Sequence, residues 1–152
     1  EAQRSATSFG VVVFDVDHFK RFNDTHGHEV GDTVLKTVAG MFDAYLRASD
    51  LAARIGGEEF AIAIPTVDAA DVLNLAERIR AAVEVAQLAV AGRVLSIPIS
   101  GGIAMYGTGD DPQSVLRRAD GALYRAKHAG RNQVCLHESA AGSLGDGQSA
   151  DV

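Results

Sequence analysis

Residues 51–64 read Leu-Ala-Ala-Arg-Ile-Gly-Gly-Glu-Glu-Phe-Ala-Ile-Ala-Ile, and this stretch decides the fold. Two short apolar runs, at residues 51–55 and 60–64, flank a Gly-Gly-Glu-Glu segment. Such runs around paired glycines are typical of a β-hairpin, because Gly56 and Gly57 can supply the positive φ that a tight turn requires. We therefore expect two antiparallel strands here.

Upstream of the hairpin, residues 9–14 form an unbroken run of β-branched and aromatic side chains that ends at Asp15. This run predicts a central strand buried on both faces. Asp17 stands where a helix N-cap is expected, and we predict a short helix that the Asn-Asp-Thr-His-Gly segment at residues 23–27 breaks. A longer helix follows, whose core-facing stripe comprises Val30, Val34, Leu35, Val38, Met41, Phe42 and Tyr45.

Downstream of the hairpin, apolar residues recur at helical spacing between residues 72 and 83 and predict a further amphipathic helix. Residues 93–104 predict a strand, with Gly92 as the turn before it. Proline cannot donate to a β-ladder, so Pro98 indicates an edge or a bulge in that strand.

A last helix is predicted to open at Asp111-Pro112 and to stop at Gly130, with a closing strand over residues 132–136. The predicted order is therefore β-α-α-β-β-α-β-α-β. Hairpins outnumber parallel crossovers in this order. We expect an α+β fold with a mainly antiparallel sheet of about five strands covered by helices, akin to a ferredoxin-like core.

Length and composition predict one folded unit, since 152 residues with 47% hydrophobic side chains suit a single globular domain. We expect the domain to span residues 9–137. Residues 1–8 are then an extension or a truncated linker, and residues 138–152, rich in Ser, Gly, Ala and Asp, a disordered tail. No apolar stretch approaches the roughly 18 residues of a membrane span.

The net charge limits the classes of binding partner that the sequence favours. A formal net charge of −6 argues against a surface that neutralises a nucleic-acid polymer, but leaves room for a small anion held through a divalent metal. Cys135 is the single cysteine, so no intrachain disulfide can form. The start of the chain lacks the pattern of a secretory signal, and we expect a cytoplasmic protein.

Carboxylates at two places suggest a metal site. Asp15 ends a buried strand, where it could serve as a cap or as a ligand at the edge of the sheet. Glu58 and Glu59 could equally be solvated turn residues. If the hairpin lies beside the first strand, Asp15 and Glu58 converge and form the oxygen-rich, partly hydrated site that Mg²⁺ prefers when it bridges to phosphates.

Asn23 and Asp32 suggest a base-binding site, although a turn Asn and an early-helix Asp would also explain them. A carboxylate can accept two hydrogen bonds from guanine N1–H and N2–H₂, which no other common base offers together. Lys20, Lys127 and Arg131 could surround a triphosphate, or the last two could simply favour the end of their helix.

A series of ordered motifs resembles the GGDEF diguanylate cyclase family. The resemblance runs from about Phe9 to Asn132. Its motifs are Phe14-Asp15-Val16-Asp17-His18-Phe19-Lys20, Asn23-Asp24, Gly27-His28, Gly31-Asp32, Gly56-Gly57-Glu58-Glu59-Phe60, Ala119-Asp120 and Tyr124-x-x-Lys127-x-x-Gly130-Arg131-Asn132.

The resemblance implies that two GTP molecules condense into cyclic di-(3′→5′)-GMP with release of two pyrophosphates. One GTP would bind to each domain of a homodimer, with Mg²⁺ or Mn²⁺, two ions per active site. Asp15, Glu58 and the Val16 carbonyl would bind metal, with Glu59 beside them as a further catalytic residue. Asn23 and Asp32 would read guanine, and the residues implied at the rest of the nucleotide are Phe19, Lys20, Gly56, Gly57, Lys127 and Arg131.

The resemblance also implies product inhibition. Arg47-x-x-Asp50 lies where the family places its inhibitory product site, and Arg78 resembles the second arginine of that site. Taken alone, Arg47 and Asp50 would be an ordinary surface pair. Arginine's planar fork suits guanine and phosphate alike, which favours the binding interpretation.

Two departures from the family pattern bear on the prediction. Glu58 replaces the usual Asp but keeps the carboxylate, so activity is still expected. The family's opening Asp-x-Leu-Thr-x-Leu-x-Asn-Arg segment has no counterpart before Phe9, which predicts a fragment separated from a sensory or regulatory domain. The alternatives are a non-catalytic receptor of cyclic di-GMP and a related cyclase that uses another nucleotide.

Overall fold

The computed structural model describes residues 8–66, 68–90, 92–107 and 109–138. The predicted N-terminal extension and disordered tail therefore lie almost wholly outside the described residues. The strands are β1 (Phe9–Val16), β2 (Leu51–Arg54), β3 (Glu59–Pro65), β4 (Leu88–Val90), β5 (Arg93–Leu95), β6 (Ile99–Tyr106) and β7 (Val134–Leu136). The helices are α1 (Phe19–His26), α2 (His28–Asp43), α3 (Ala69–Val85) and α4 (Pro112–His128).

The main sheet has five strands in the order β2-β3-β1-β6-β7. Strand β1 pairs antiparallel with both β3 and β6, and β2 pairs antiparallel with β3. Only β6 and β7 are parallel among the pairs described in this sheet. The sequence prediction of a mainly antiparallel α+β fold of about five strands is confirmed.

The two faces of the central strand pack against different helices, because alternate side chains of a strand point in opposite directions. Val12, Phe14 and Val16 face a core built with α2 and α3. Val11 and Val13 face a smaller core with α4. Asp15 continues the second series, so the alternation that buries β1 also directs its carboxylate toward α4.

Asp17 is not the N-cap of α1, and that prediction is wrong. The cap position belongs to His18, which has φ 57° and makes no side-chain capping bond. The carboxylate of Asp17 is instead buried and accepts hydrogen bonds from Ser100 and Asn132. A long-range hydrogen-bond pair has therefore replaced the local cap that the sequence suggested.

The single strand predicted over residues 93–104 is divided into β5 and β6. Pro98 lies between them, and its carbonyl oxygen accepts a 3.0 Å hydrogen bond from the backbone N–H of Asp17. Strand β5 pairs with β4, which the sequence analysis did not predict, through the turn at Gly92 with φ 78°. Pro98 thus ends one strand before the next begins, and does not make a bulge within one strand.

Two helix ends differ from prediction. Helix α1 continues to His26, so only the last residue of the expected breaking segment, Gly27, interrupts the helix, with φ 92°. Tyr45 lies beyond the end of α2 but still packs against the main core. Within the described residues, no helix combines the length and apolar character needed to cross a membrane.

Candidate active site

Asp15 lies near the carboxyl end of β1 and is only 5% exposed. In the sheet it stands opposite Glu59 of β3 and Ser100 of β6. Paired residues of adjacent antiparallel strands project their side chains from the same face. The central strand therefore presents a buried carboxylate between a second carboxylate and a hydroxyl.

Asp15 is only partly neutralised. Lys127 reaches it from α4, and its Nζ donates a hydrogen bond to Asp15 Oδ2. The other oxygen, Oδ1, is buried and has no hydrogen-bond partner among the described residues. Burial raises the pKa of Asp15 above its ordinary value, and the neighbouring Lys127 offsets only part of that rise. A buried oxygen without a donor favours an additional cation at this place.

Glu58 and Glu59 lie within the electrostatic reach of Asp15. Burial, followed by the charge of Asp15, raises the pKa of Glu58. Burial raises the pKa of Glu59 too, followed by the charges of Asp120 and Asp15. Neighbouring carboxylates whose pKa values are all raised lack sufficient positive charge nearby. Strand pairing places the hairpin beside β1, as predicted, and the charge of Asp15 acts on Glu58. That the two carboxylates share one cation stays a prediction.

The hairpin turn differs from the expected one. Neither Gly56 nor Gly57 has a left-handed φ, contrary to the prediction. The backbone N–H of Ile55 donates to the Glu59 carbonyl at 2.9 Å, which closes a wider loop. The Arg54 guanidinium donates to the carbonyls of Gly57, at 2.6 Å, and Gly56, at 3.3 Å. A side chain thus holds the loop that we expected glycine conformation to form.

The donor set fits a hard divalent cation. No group of three or more His, Cys, Asp or Glu residues converges on a metal position within the described part of the chain. Asp15 and Glu58 nevertheless supply carboxylate oxygens, and Val16 ends the buried strand β1 beside them. Mg²⁺ commonly binds through one or two carboxylates, with water and substrate phosphates completing its octahedron. Two carboxylates at the end of β1 agree with that chemistry.

The predicted phosphate-binding cations lie at different depths. Lys127 pairs with Asp15, and the positive charge of Arg131 also lowers the pKa of Asp15 slightly. Arg131 has φ 63°, and its Nε is buried without a hydrogen-bond partner among the described residues. Lys20 is exposed on the first turn of α1. Lys127 therefore contacts Asp15 and the charge of Arg131 reaches it, whereas no contact of Lys20 with these carboxylates is seen among the described residues.

Asn23 and Gly31 are in close contact between α1 and α2. A Cβ atom built on Gly31 would lie 1.8 Å from Asn23 Oδ1 and 3.1 Å from the ring of Phe19. Asn23 Oδ1 is also buried, with no hydrogen-bond partner in the residues described. Asp32 follows on the exposed side of α2. Gly31 thus leaves space for the Asn23 amide, and Asn23 Oδ1 can accept a hydrogen bond from a ligand.

Arg47 and Arg78 line a second candidate site, and Asp50 pairs with Arg47. The Asp50 carboxylate is buried and accepts from the Arg47 backbone N–H at 2.8 Å and from its guanidinium at 3.3 Å. Arg78, on α3, lies over the ring of Tyr45 at 5.5 Å. A cleft of about 530 Å³ is lined by both arginines. The structure therefore places the two predicted product-binding arginines on one surface.

Sequence reasoning assigned no role to Asp120, Ser100 or Asn132. Asp120 stands seven residues before Lys127 on α4, which places both on one helix face, and that spacing could have revealed it. Ser100 carries no local signal, because its partner Asp17 is 83 residues away in sequence. Only strand pairing brings those two residues together.

Fold and site together define an α+β domain with a carboxylate cluster where its central strand ends. The family model described as "Diguanylate cyclase, GGDEF domain" matches residues 1–133. The chain belongs to this family.

Among curated relatives, the chain is 44% identical over 124 residues to diguanylate cyclase DgcP of Pseudomonas aeruginosa, covering 82% of the chain and 18% of the relative. It is 46% identical over 126 residues to response regulator PleD of Caulobacter vibrioides, covering 81% of the chain and 28% of the relative. The chain thus spans less than a third of the length of either relative.

Two solved structures are similar throughout most of the chain. The GGDEF domain of DgcB from Caulobacter crescentus, in complex with c-di-GMP, has a TM-score of 0.84 and 40% identity, covering 91% of this chain and 82% of that one. The active GGEEF domain of a diguanylate cyclase from Vibrio cholerae has a TM-score of 0.82 and 32% identity, covering 91% and 88%. The latter carries the same Glu variant in its motif.

Proposed function

We propose that this domain condenses two GTP molecules into cyclic di-(3′→5′)-GMP and releases two pyrophosphates. The observation that carries the proposal is the buried carboxylate of Asp15, with one unpartnered oxygen, beside Glu58 of the Gly-Gly-Glu-Glu-Phe hairpin. Family membership supports this reaction above others that use metal and nucleotide.

Guanine selection is assigned to Asn23 and Asp32. The exposed carboxylate of Asp32 can accept from guanine N1–H and N2–H₂, and the free Asn23 Oδ1 can accept a further hydrogen bond. Gly31 keeps the space that the Asn23 amide occupies. Adenine lacks the paired donors of guanine, so a base-binding site of this kind discriminates against ATP.

The triphosphate is assigned to the carboxylates at the end of β1 and in the hairpin. Asp15, Glu58 and the Val16 carbonyl would hold Mg²⁺ or Mn²⁺, with Glu59 next to them. Such a cation, when bound, neutralises phosphate charge and favours ionisation of an attacking hydroxyl. Lys127 and Arg131 supply positive charge from α4 and the turn after it, and Lys20 joins them from α1. These residues orient the phosphates and stabilise the charge that develops during transfer.

Each bond is formed between two nucleotides held by different copies of the domain. The 3′-oxygen of one GTP attacks the α-phosphorus of the other, the bond from that phosphorus to the β-phosphate oxygen breaks, and pyrophosphate leaves. The 3′-hydroxyl proton passes to solvent or to a carboxylate. A second transfer, in which the 3′-oxygen of the other nucleotide attacks the first α-phosphorus and releases the second pyrophosphate, closes the ring. The reaction therefore requires a homodimer.

The proposal is tested by incubating the protein with Mg²⁺ and either GTP or ATP, and by separating the products chromatographically. We expect cyclic di-GMP from GTP, with Asp15→Asn and Glu58→Gln reducing its formation by about 100-fold or more. Asp43→Asn, at the exposed end of α2, is the matched control and should retain activity. Undiminished product from Asp15→Asn, or equal use of ATP, would reject the assignment.

We further propose that product binds at the cleft lined by Arg47 and Arg78, with Asp50 paired to Arg47, and inhibits turnover. The support is the shared cleft and the buried Asp50 that orients Arg47. Arg47→Ala should raise the product concentration that halves activity by about tenfold, without lowering the initial rate. If wild-type protein binds cyclic di-GMP but makes none, the domain is a receptor and not an enzyme.

The whole protein is proposed to contain a regulatory domain that brings two catalytic domains together. The support is that the chain covers only 28% of a relative named a response regulator. Two active sites can then meet when the regulatory domain pairs, because tethering raises their effective concentration.

A further inference from the structure

The turn after α4 has an unusual backbone conformation. Arg131 and Asn132 are consecutive residues other than glycine in the left-handed region, with φ of 63° and 49°. For Arg131 this conformation costs roughly 1–2 kcal/mol and persists only where surrounding contacts hold it, whereas Asn adopts it more readily. Arg131 is also a residue to which we assigned triphosphate binding, so the contacts that hold this turn bear on the site.

Two buried side chains hold the turn. The backbone N–H of Asn132 donates to Asp17 Oδ2 at 3.0 Å and to Ser100 Oγ at 2.9 Å. Ser100 Oγ in turn donates to Asp17 Oδ1 at 2.7 Å. Asp17 is 4% exposed and Ser100 is fully buried. We call Asp17, Ser100 and the Asn132 N–H the turn clamp.

The side chain of Asn132 fixes the turn from the other direction. Arg80 Nη1 donates to Asn132 Oδ1 at 2.9 Å, and Asn132 Nδ2 donates to Glu84 Oε2 at 2.8 Å. Arg80 and Glu84 both belong to α3, and they also form an ion pair with each other. The turn is thus attached to the sheet by its backbone and to α3 by its side chain.

Arg131 has a fixed backbone and one buried side-chain donor, Nε, without a partner among the described residues. Its backbone N–H donates to the Ala126 carbonyl at 3.0 Å, which ties it to the last turn of α4. Its Nε is buried and has no acceptor among the described residues. Buried guanidinium donors are normally satisfied, so an anion is the expected partner. Fixing the backbone reduces the entropy that Arg131 loses when it binds that anion.

We propose that Asp17 and Ser100, acting through the backbone of Asn132, are positioning residues that aim Arg131 at the triphosphate and so favour GTP over guanosine monophosphate. This inference rests on the proposed function, because it assigns the anion to the substrate. Neither Asp17 nor Ser100 needs to contact nucleotide or metal. Their effect passes through one left-handed turn.

The test compares Asn132→Gly with Asn132→Ala. Both variants lose the contacts to Arg80 and Glu84, but glycine adopts a positive φ freely and alanine does not. Calorimetric titration with Mg²⁺ measures binding of GMP and of 3′-deoxy-GTP, which lacks the attacking hydroxyl and cannot react. We expect Asn132→Ala to reduce the preference for the triphosphate about fivefold or more relative to Asn132→Gly.

A double-mutant cycle with Arg131→Met separates positioning from general structure. In the Arg131→Met background, Asn132→Gly and Asn132→Ala should show equal preferences for 3′-deoxy-GTP over GMP. The reason is that the residue through which the turn clamp acts is gone. The inference would be overturned if the two Asn132 variants had equal triphosphate preferences with Arg131 present. It would also be overturned if their preferences still differed after Arg131→Met. If Asn132→Ala fails to fold, Ser100→Ala takes its place in the same cycle. Wild-type protein with no preference for the triphosphate would reject the proposed function itself.

Discussion

Asp15 shows at the residue scale how the fold prepares the proposed cation site. Burial raises its pKa, and Lys127 compensates only in part. A group with a raised native pKa adds stability that is fully present below its unfolded pKa and is lost as pH rises through the native value. At neutral pH the ionised carboxylate therefore weakens the metal-free domain, and a bound cation would remove that penalty.

Asp15→Asn should keep or raise the melting temperature of the chelator-treated domain at neutral pH. The difference from wild type should disappear below the ordinary Asp pKa of 3.8, where both side chains are neutral. Added Mg²⁺ with 3′-deoxy-GTP should stabilise wild type and not the variant. Differential scanning calorimetry checks this, and equal stabilisation of both proteins by Mg²⁺ would show that Asp15 is not a ligand.

Gly31→Ala should weaken GTP binding without unfolding the domain. The new Cβ overlaps Asn23 Oδ1, a side-chain atom that can move away and lose its place at the base. Loss of one hydrogen bond of about 1.5 kcal/mol corresponds to a KM for GTP roughly tenfold higher. Gly40→Ala on the same helix meets no atom within 4 Å and should stabilise by roughly 0.5–1 kcal/mol. Unchanged KM in Gly31→Ala would contradict this account.

The sequence indicated candidate residues where their chemistry was distinctive. Asp15 and Glu58 were expected to lie close together, and the charge of Asp15 contributes to the raised pKa of Glu58. Their sharing of one cation stays a prediction. The sequence prediction that Asp17 caps α1 was wrong, because strand pairing and the turn after α4 bring its actual partners to it. The prediction for the φ of Gly57 also failed, because the guanidinium of Arg54 replaced glycine geometry in the turn.

At the element scale, α4 packs against β6 through glycine. A Cβ built on Gly102 would lie 2.2 Å from the Ala119 carbonyl oxygen and from the Leu123 nitrogen, both backbone atoms of α4. Gly102→Ala must push the helix away and should reduce the free energy of unfolding by roughly 1–3 kcal/mol. Gly121→Ala, on the exposed side of α4, should be neutral or stabilising. Urea denaturation compares them, and equal stabilities would refute this packing argument.

The start of α4 is fixed by an ionic network. Asp110 accepts from Arg118 Nη1 at 2.7 Å and from the Gly107 N–H at 2.9 Å, while Arg118 Nη2 donates to the Met105 carbonyl at 2.7 Å. These contacts hold the pKa of Asp110 well below its usual range, Arg118 contributing most. A depressed native pKa gives stability that is present above the unfolded value and is lost as pH falls.

Asp110→Asn should therefore destabilise the domain by about 1 kcal/mol at neutral pH. The difference from wild type should shrink as pH falls below 3.8, because unfolded wild type then gains a proton that the native Asp110 binds poorly. Asp24→Asn, on the exposed surface of α1, serves as the control and should change stability little at any pH. Thermal melts across pH measure this, and a pH-independent difference would contradict the ionic explanation.

Elements with strong periodicity were predictable, and short ones were not. The apolar stripes of α2 and α3 and the capping residues Asp111 and Pro112 of α4 correspond to the observed helices. Strand β4 has only three residues and carries too little pattern for detection. The sequence analysis placed Pro98 inside a single strand, because the sequence does not reveal that the Pro98 carbonyl accepts a hydrogen bond from the distant Asp17 N–H.

At the scale of the whole molecule, the hairpin at residues 51–64 correctly predicted a mainly antiparallel sheet. It could not predict that β1 would lie between β3 and β6, since this order depends on pairings across the whole chain. That order places the end of β1 beside both the hairpin and α4. The candidate active site is therefore a product of the sheet order as much as of its motifs.

The most direct measurement is the specific rate of cyclic di-GMP formation from GTP and Mg²⁺ over a wide range of protein concentration. In the proposed reaction each domain holds one GTP, so we predict product whose rate per mole of protein rises with concentration as two domains pair. Absence of cyclic di-GMP at every concentration would contradict the proposed reaction. A rate per mole that stays constant while the protein remains monomeric would contradict a site completed by two copies.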